Sequence, residues 1–211
     1  MSSPLRAPRA RAGAARASDA PVPSDEALIE GIRGADPALS AVFYDRLFPT
    51  VDRTLYRILG RRESDHDDLV QAAFEQIILT LARGSFAGAC SLRTWAASVT
   101  TRIATNALRA RRRERRVIDR TVLLHEDLRA APQDLEQVVA ARTAIERIRV
   151  ELAGLRRGRA EAILLHDVLG QDLAEIAVTT GVSVAAAQSR LVRGRRDLHR
   201  RLGQARAGRA K

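Results

Sequence analysis

Leu69, Val70, Ala73, Phe74, Ile77, Ile78 and Leu81 recur with the spacing of one face of an α-helix. A half-buried strand alternates with period two, so this run cannot lie in a sheet without putting large apolar groups into water. The rest of the chain agrees. Only 3% of the residues are aromatic, whereas strands favour aromatic and β-branched side chains, and Ala, Leu and Arg dominate. The fold class is therefore all-α.

Local signals divide the 211 residues into two small helical units. Residues 1–23 are Ala, Arg, Pro and Ser with almost no large apolar groups, the composition of a disordered tail. A first domain spans 24–116. Ser24 is placed to cap a helix reaching Ile32 and stopping near Gly34. Asp36-Pro37 opens a second helix, carrying Val42, Phe43 and Leu47 past Pro49 to Gly60. Residues 69–81 form the third, and Ser91 caps a long fourth from Leu92 to about Arg116. Weak periodicity over 117–134 reads as a linker. The second domain, 135–202, has helices over Leu135–Ala153 and Arg157–Leu169, then elements hinged at Gly181. Residues 203–211 form a polar tail.

The formal net charge is +11, and it is not evenly spread. Asp25 to Arg83 holds 11 acidic and 7 basic residues, Thr101 to Arg120 holds 8 arginines and 2 acids, and Ala187 to Lys211 holds 9 basic residues and Asp197 alone. Two basic blocks far apart in sequence suit two contacts with one polyanion. Lys211 is the only lysine, and arginine's planar fork fits phosphates and guanine edges.

Residues 172–198, DLAEIAVTTGVSVAAAQSRLVRGRRDL, carry the sharpest local signal. Asp172 and Glu175 form a capping box for a short helix with Leu173, Ile176 and Ala177 on its buried side. Gly181 makes the turn, with Val182 between the helices. Ser183 caps a second helix whose buried stripe is Val184, Ala187, Leu191 and Leu198. Small residues near its start permit close approach to base edges and arginines further along reach phosphates, the pattern of a helix-turn-helix. Ala186, Gln188 and Ser189 fall in its first two turns, within reach of base edges; Arg190 and Arg193 come next as further DNA-binding candidates, and Arg196 and Arg200 lie towards the far end, better placed for phosphates.

On the long helix after Ser91, Leu92, Ala96, Val99 and Ile103 share the buried side. Arg102, Asn106, Arg109 and Arg113 line one face, with Trp95 at its edge. Trp95 admits two readings, a platform for a single-stranded base or an anchor in the core. On the preceding helix Asp68, Gln71 and Glu75 make a compact acidic-amide face opposite the apolar stripe.

No catalytic constellation is legible. There is no Gly-rich phosphate loop, nucleophile elbow or HExxH, and His66, Asp67 and Asp68 point different ways on a helix. Cys90 is the only cysteine, which excludes an internal disulfide, and it reads as an inert small apolar group more readily than as a redox sensor. No metal or cofactor is expected. No apolar run approaches the roughly 18 residues of a membrane span, and the Arg-rich start lacks a signal peptide's apolar stretch. The expectation is a cytoplasmic protein without enzymatic activity.

Taken together, the two halves resemble bacterial RNA polymerase sigma factors of the extracytoplasmic-function (ECF) group, whose two helical domains, regions 2 and 4, are joined by a linker. DLVQAAFEQI (68–77) resembles the region 2.2 helix, which docks on the clamp helices of the polymerase largest subunit. The resemblance thereby implies a partner for Asp68, Gln71 and Glu75. FAGACSLRTWAASVTTRIATNALRARRR (86–113) resembles the segment that opens the duplex and holds the −10 element, and 155–198 resembles region 4, whose helix-turn-helix reads the −35 element. The implied partners are core RNA polymerase, promoter DNA and an anti-sigma factor. Arg102 and Asn106 stand where the family commonly has Asn and Asp, Arg156 replaces a frequent proline, and Gln188 takes an often basic position. Two other readings stand beside this one: a helix-turn-helix regulator whose first domain dimerises or senses, and a homologue that only sequesters polymerase.

Overall fold

Five helices start where the sequence supplies a capping side chain: Ser24, Asp36, Ser91, Asp172 and Ser183. The computed structural model describes the backbone of residues 22–121 and 133–207, with side chains over 22–115 and 139–204. The two tails lie mostly, and the linker largely, outside the described residues. α1 (Asp25–Arg33) starts on Ser24, whose hydroxyl accepts the Ala27 N–H at 3.2 Å. α2 (Pro37–Leu59) starts on Asp36, which accepts from Ala38 and Leu39, and ends at Gly60 with φ 82°. Pro49 lacks the N–H that a helix interior needs, yet α2 continues through it. Leu47, Val51 and Leu55, on either side of the proline, are completely buried and hold the helix in place.

α3 (His66–Ala82) and α4 (Leu92–Thr121) complete the first domain. Asp25 ties it together from a distance, because its carboxylate accepts the Leu92 N–H at 2.9 Å and so caps α4 from the start of α1. Of the expected stripe on α3, Val70, Ala73, Phe74, Ile77 and Leu81 are buried and Leu69 is half-buried. Ile78 is 40% exposed and Val42 on α2 38%, so both leave the core in which periodicity places them. The stripe is wider than the surface available to cover it.

α4 deviates in the opposite direction. Ala96 and Val99 are buried as expected and Ile103 is partly so, but Thr100, Thr101, Ala104, Thr105 and Leu108 are buried as well. The threonine hydroxyls are satisfied by donating to carbonyls one turn back, Ala96, Ala97 and Thr101 respectively, at 2.7–2.8 Å. α4 needs this broad buried face because it packs on α2 and α3 on one side and on the second domain on the other.

The second domain comprises α5 (Gln133–Ala153), α6 (Arg157–Ile163) continuing into a π-helical turn at Leu164–Val168, α7 (Leu173–Thr180) and α8 (Val184–Ala207). Both arms of the Asp172/Glu175 capping box form, at 2.8 and 3.0 Å, and Gly181 takes φ 68° at the turn. Gly194 lets α6 and α8 cross closely, since an added Cβ would come within 2.9 Å of the Arg159 carbonyl. Leu152, Leu155, Ala160 and Ile163 join Leu28, Leu55, Ala104 and Leu108 in one apolar cluster, so the two domains share a core.

His66 is a structural residue. Its Nε2 lies 2.8 Å from Asp52 on α2, and Arg62 donates to the same carboxylate at 2.6 Å. The Arg62 hydrogen bond, helped by His66 against the opposing effect of burial, holds the Asp52 carboxyl below its ordinary value of 3.8. A carboxyl depressed on folding stabilises fully above its unfolded value, and that contribution is lost as the pH falls through the lower folded value. Asp52→Asn should therefore cost about 1 kcal/mol at pH 7, discounted for the exposed Arg62, and less at about pH 3. Urea unfolding at the two pH values checks this.

Candidate nucleic-acid interface

On α8, Ser183 caps the helix by accepting the Ala186 N–H at 3.2 Å. Ala187 and Leu191 are buried and Leu198 partly so, but Val184 is 49% exposed and does not belong to the buried stripe. Gln188, Arg193 and Arg196 are exposed, and Ala186, Ser189 and Arg190 are half-buried or at the margin of the exposed face. The Arg190 guanidinium lies over Gly158 of α6, close enough that a Cβ there would sit 3.3 Å away. Ser189, Arg190 and Arg193 line a cleft with Arg156 and Arg159. Neither of these two upstream arginines shares a local pattern with α8, so nothing in the sequence joins them to its reading face. Arg159 is paired to Asp197 of α8. Arg200 shares that carboxylate at 2.9 Å while staying open to solvent.

Arg195 has a different task. It donates to Asp167 at 3.0 Å through Nε and lies beside His166, which itself contacts Asp167 at 2.8 Å. The Arg195 hydrogen bond keeps the Asp167 carboxyl below its ordinary range. The pair fastens α8 to the π-helical turn.

On α4, Arg102 and Asn106 are exposed along one side, and Arg113 continues that side one to two turns on. Two of the expected DNA-facing residues are placed otherwise. Trp95 is only 8% exposed and packs against Phe86, with ring centroids 5.0 Å apart, so of its two readings the anchor is the one this fold contains. A base cannot reach the indole face while Phe86 and the core cover it. Arg109 is half-buried and donates to the Leu155 carbonyl at 2.7 Å, because the second domain packs against that side of α4.

The third face lies on α3. Asp68, Gln71 and Glu75 are all exposed, and Gln71 donates to Glu75 at 2.9 Å. Apolar groups flank it. Ile78 and Leu79 are 40% and 50% exposed, and Tyr44 of α2 lies on Phe74 at 4.5 Å with Phe48 beside it. An acidic-amide rim beside an aromatic ridge is the make-up of a protein-docking surface.

Among the described residues no cluster of His, Cys, Asp and Glu could hold a metal, and no helix is long and apolar enough to cross a membrane. Burial pushes the half-buried Cys90 thiol up, helped by Glu175, which leaves it a poor nucleophile.

Two helical domains, one with an acidic docking face and a basic helix and the other with a capped helix-turn-helix, define a transcription initiation factor. The family models for sigma-70 region 2 and sigma-70 region 4 match residues 43–114 and 145–198 respectively. The chain belongs to the sigma-70 family, with the two-domain make-up of its ECF group. It is a sigma factor, which binds core RNA polymerase and directs promoter-specific initiation. The region 2 match removes the reading as a helix-turn-helix regulator alone. Among solved structures, it is similar to CnrH in complex with the cytosolic domain of CnrY, at 22% identity and a TM-score of 0.51, covering 86% of this chain and 99% of that one. It is also similar to the sigma factor RpoE in complex with the anti-sigma factor NepR from Bartonella quintana, at 20% identity and 0.43, covering 76% and 94%. No curated protein matches it.

Proposed function

We propose a division of labour among three surfaces. The first two turns of α8 read the −35 element, the exposed side of α4 holds the opened −10 element, and the polar face of α3 docks on the clamp helices of polymerase. The observation that carries this is the separation of the faces: two arginine-rich helix sides in different domains, and one acidic-amide face on a third helix. The protein itself catalyses nothing, since polymerase supplies the chemistry, and it works in the cytoplasm. The solved structure of CnrH is a complex with the cytosolic domain of CnrY, and this chain is proposed to be held by an anti-sigma factor in a comparable way.

Residues on α8 should fail in two ways. Substituting Gln188 or Ser189 should shift the preferred −35 sequence, each good base pairing being worth about 1–3 kcal/mol of discrimination. Removing Arg196 should weaken all promoters alike and reduce the salt slope by about one. Binding selections at two salt concentrations separate these outcomes; an unchanged selected sequence in Gln188 and Ser189 variants would place base reading elsewhere. On α4, an Arg102→Ala, Arg113→Ala double variant should bind a −35 duplex normally yet form open complexes at least about tenfold more slowly, as expected if each guanidinium–phosphate bond holds the opened strand by about 1 kcal/mol or more. Permanganate footprinting reads that rate, and a wild-type rate would remove α4 from promoter opening.

A further inference from the structure

Three exposed arginines gather on one wall of a cleft with no acid to balance them. Arg53 and Arg57 lie one turn apart on α2, Arg93 stands in the first turn of α4, and all three line the same cleft of about 290 Å³. Among the described residues none of the three has a carboxylate within ion-pair distance. Asp52, the acidic residue beside Arg53 in the chain, is engaged by Arg62 and His66 instead. Like charges one turn apart on a helix repel, so the grouping carries a small cost that no ion pair offsets.

The opposite wall has the opposite character. Gln171 is 8% exposed; its Nε2 donates to the Thr94 carbonyl at 3.2 Å and its Oε1 has no partner. Glu175 lines the same cleft and accepts the Asp172 N–H at 3.0 Å, yet none of the three arginines reaches its carboxylate. Guanidiniums on one side and two side-chain acceptors on the other, with open space between, suit a ligand that carries phosphates at one end and N–H or O–H donors at the other. A nucleotide has that make-up: its phosphate oxygens match the guanidinium fork, and its sugar hydroxyls or base amino groups can donate to an amide oxygen and a carboxylate. The cleft sits at the lower limit of small-molecule sites, roughly 300–1,000 Å³, which fits one nucleotide better than a larger cofactor. We propose that this cleft binds a nucleoside di- or polyphosphate, with Arg53, Arg57 and Arg93 on the phosphates and Gln171 and Glu175 on the nucleoside. A bare phosphate chain would meet the Glu175 carboxylate, and a polynucleotide would have to thread between the two walls, so a mononucleotide is the favoured occupant. None of these five residues belongs to the faces assigned to promoter or polymerase, and the site does not depend on that assignment.

Calorimetric titration of the full-length protein with adenosine diphosphate and with guanosine diphosphate, without DNA or polymerase, tests the site. At least one of the two should bind, and inorganic pyrophosphate should bind at least about tenfold more weakly than it, for want of the nucleoside contacts. Arg53→Gln with Arg57→Gln, and separately Arg93→Gln, should each weaken the nucleotide, the double variant by at least about tenfold. All three side chains are exposed, so thermal unfolding of the variants should match that of the parent. A mixed-sequence single-stranded oligonucleotide should lose less affinity in the double variant than the nucleotide does. The proposal is overturned if neither nucleotide binds at millimolar concentration, or if the double variant binds it as tightly as the parent. Pyrophosphate binding as tight as the nucleotide's would make this a site for free phosphates and also overturn it. So would an oligonucleotide that loses as much affinity as the nucleotide, which would make the three arginines part of a strand's path.

Discussion

Trp95→Ala should destabilise the protein by about 3–5 kcal/mol, the cost of emptying a large aromatic site in a packed core. The indole is 8% exposed, lies one turn into α4 and supports Phe86 of the preceding loop, so without it that loop is no longer seated on the helix. Chemical denaturation reads the effect directly. Trp95→Phe separates the structural role from any interaction with DNA. Phenylalanine keeps most of the buried apolar surface, so stability and promoter opening should both be largely retained. If Trp95→Phe keeps wild-type stability but forms no open complexes, the ring acts on DNA and its buried placement is not the working one.

Gln71→Ala with Glu75→Arg should weaken binding to core polymerase by about 30-fold or more, the ~2 kcal/mol expected when a central interface group is removed and a charge reversed. Both side chains are exposed and bond to each other, so the helix beneath them should be undisturbed. Competition against the unsubstituted protein for core polymerase measures the change, with thermal unfolding as a parallel check. Equal affinity would move the docking face to the neighbouring aromatic ridge of Tyr44 and Phe48, which the apolar pattern of α2 does not reveal.

The contrast between α3, α4 and α8 shows what can be read locally. Cap chemistry depends on residues within one turn, and accordingly Ser24, Asp36, Ser91, Asp172 and Ser183 all start helices as their side chains dictate. The helix-turn-helix is legible for the same reason: its capping box, its left-handed glycine and the buried Ala187 and Leu191 belong to one continuous segment. The exposed acidic-amide face of α3 follows from its opposition to a strong apolar stripe.

Burial at the margins of those stripes is decided by what lies alongside. Val184, Ile78 and Val42 have the right period but no neighbouring element to cover them, whereas Thr100, Thr101 and Thr105 look polar yet are enclosed because two domains meet on α4. Arg109 shares its helical face with Arg102 and Arg113, and only the approach of Leu155, 46 residues away, separates it from them. Arg156 and Arg159 likewise reach Ser189 and Arg193 solely through the crossing of α6 and α8 at Gly194. By itself, then, the sequence determined the helices, their caps, the two-domain class and the basic and acidic faces, all of which arise from interactions within a turn or a period. Which of those faces remain open, and which are closed against the other domain, depends on contacts between residues distant in the chain, and only the tertiary structure decided it.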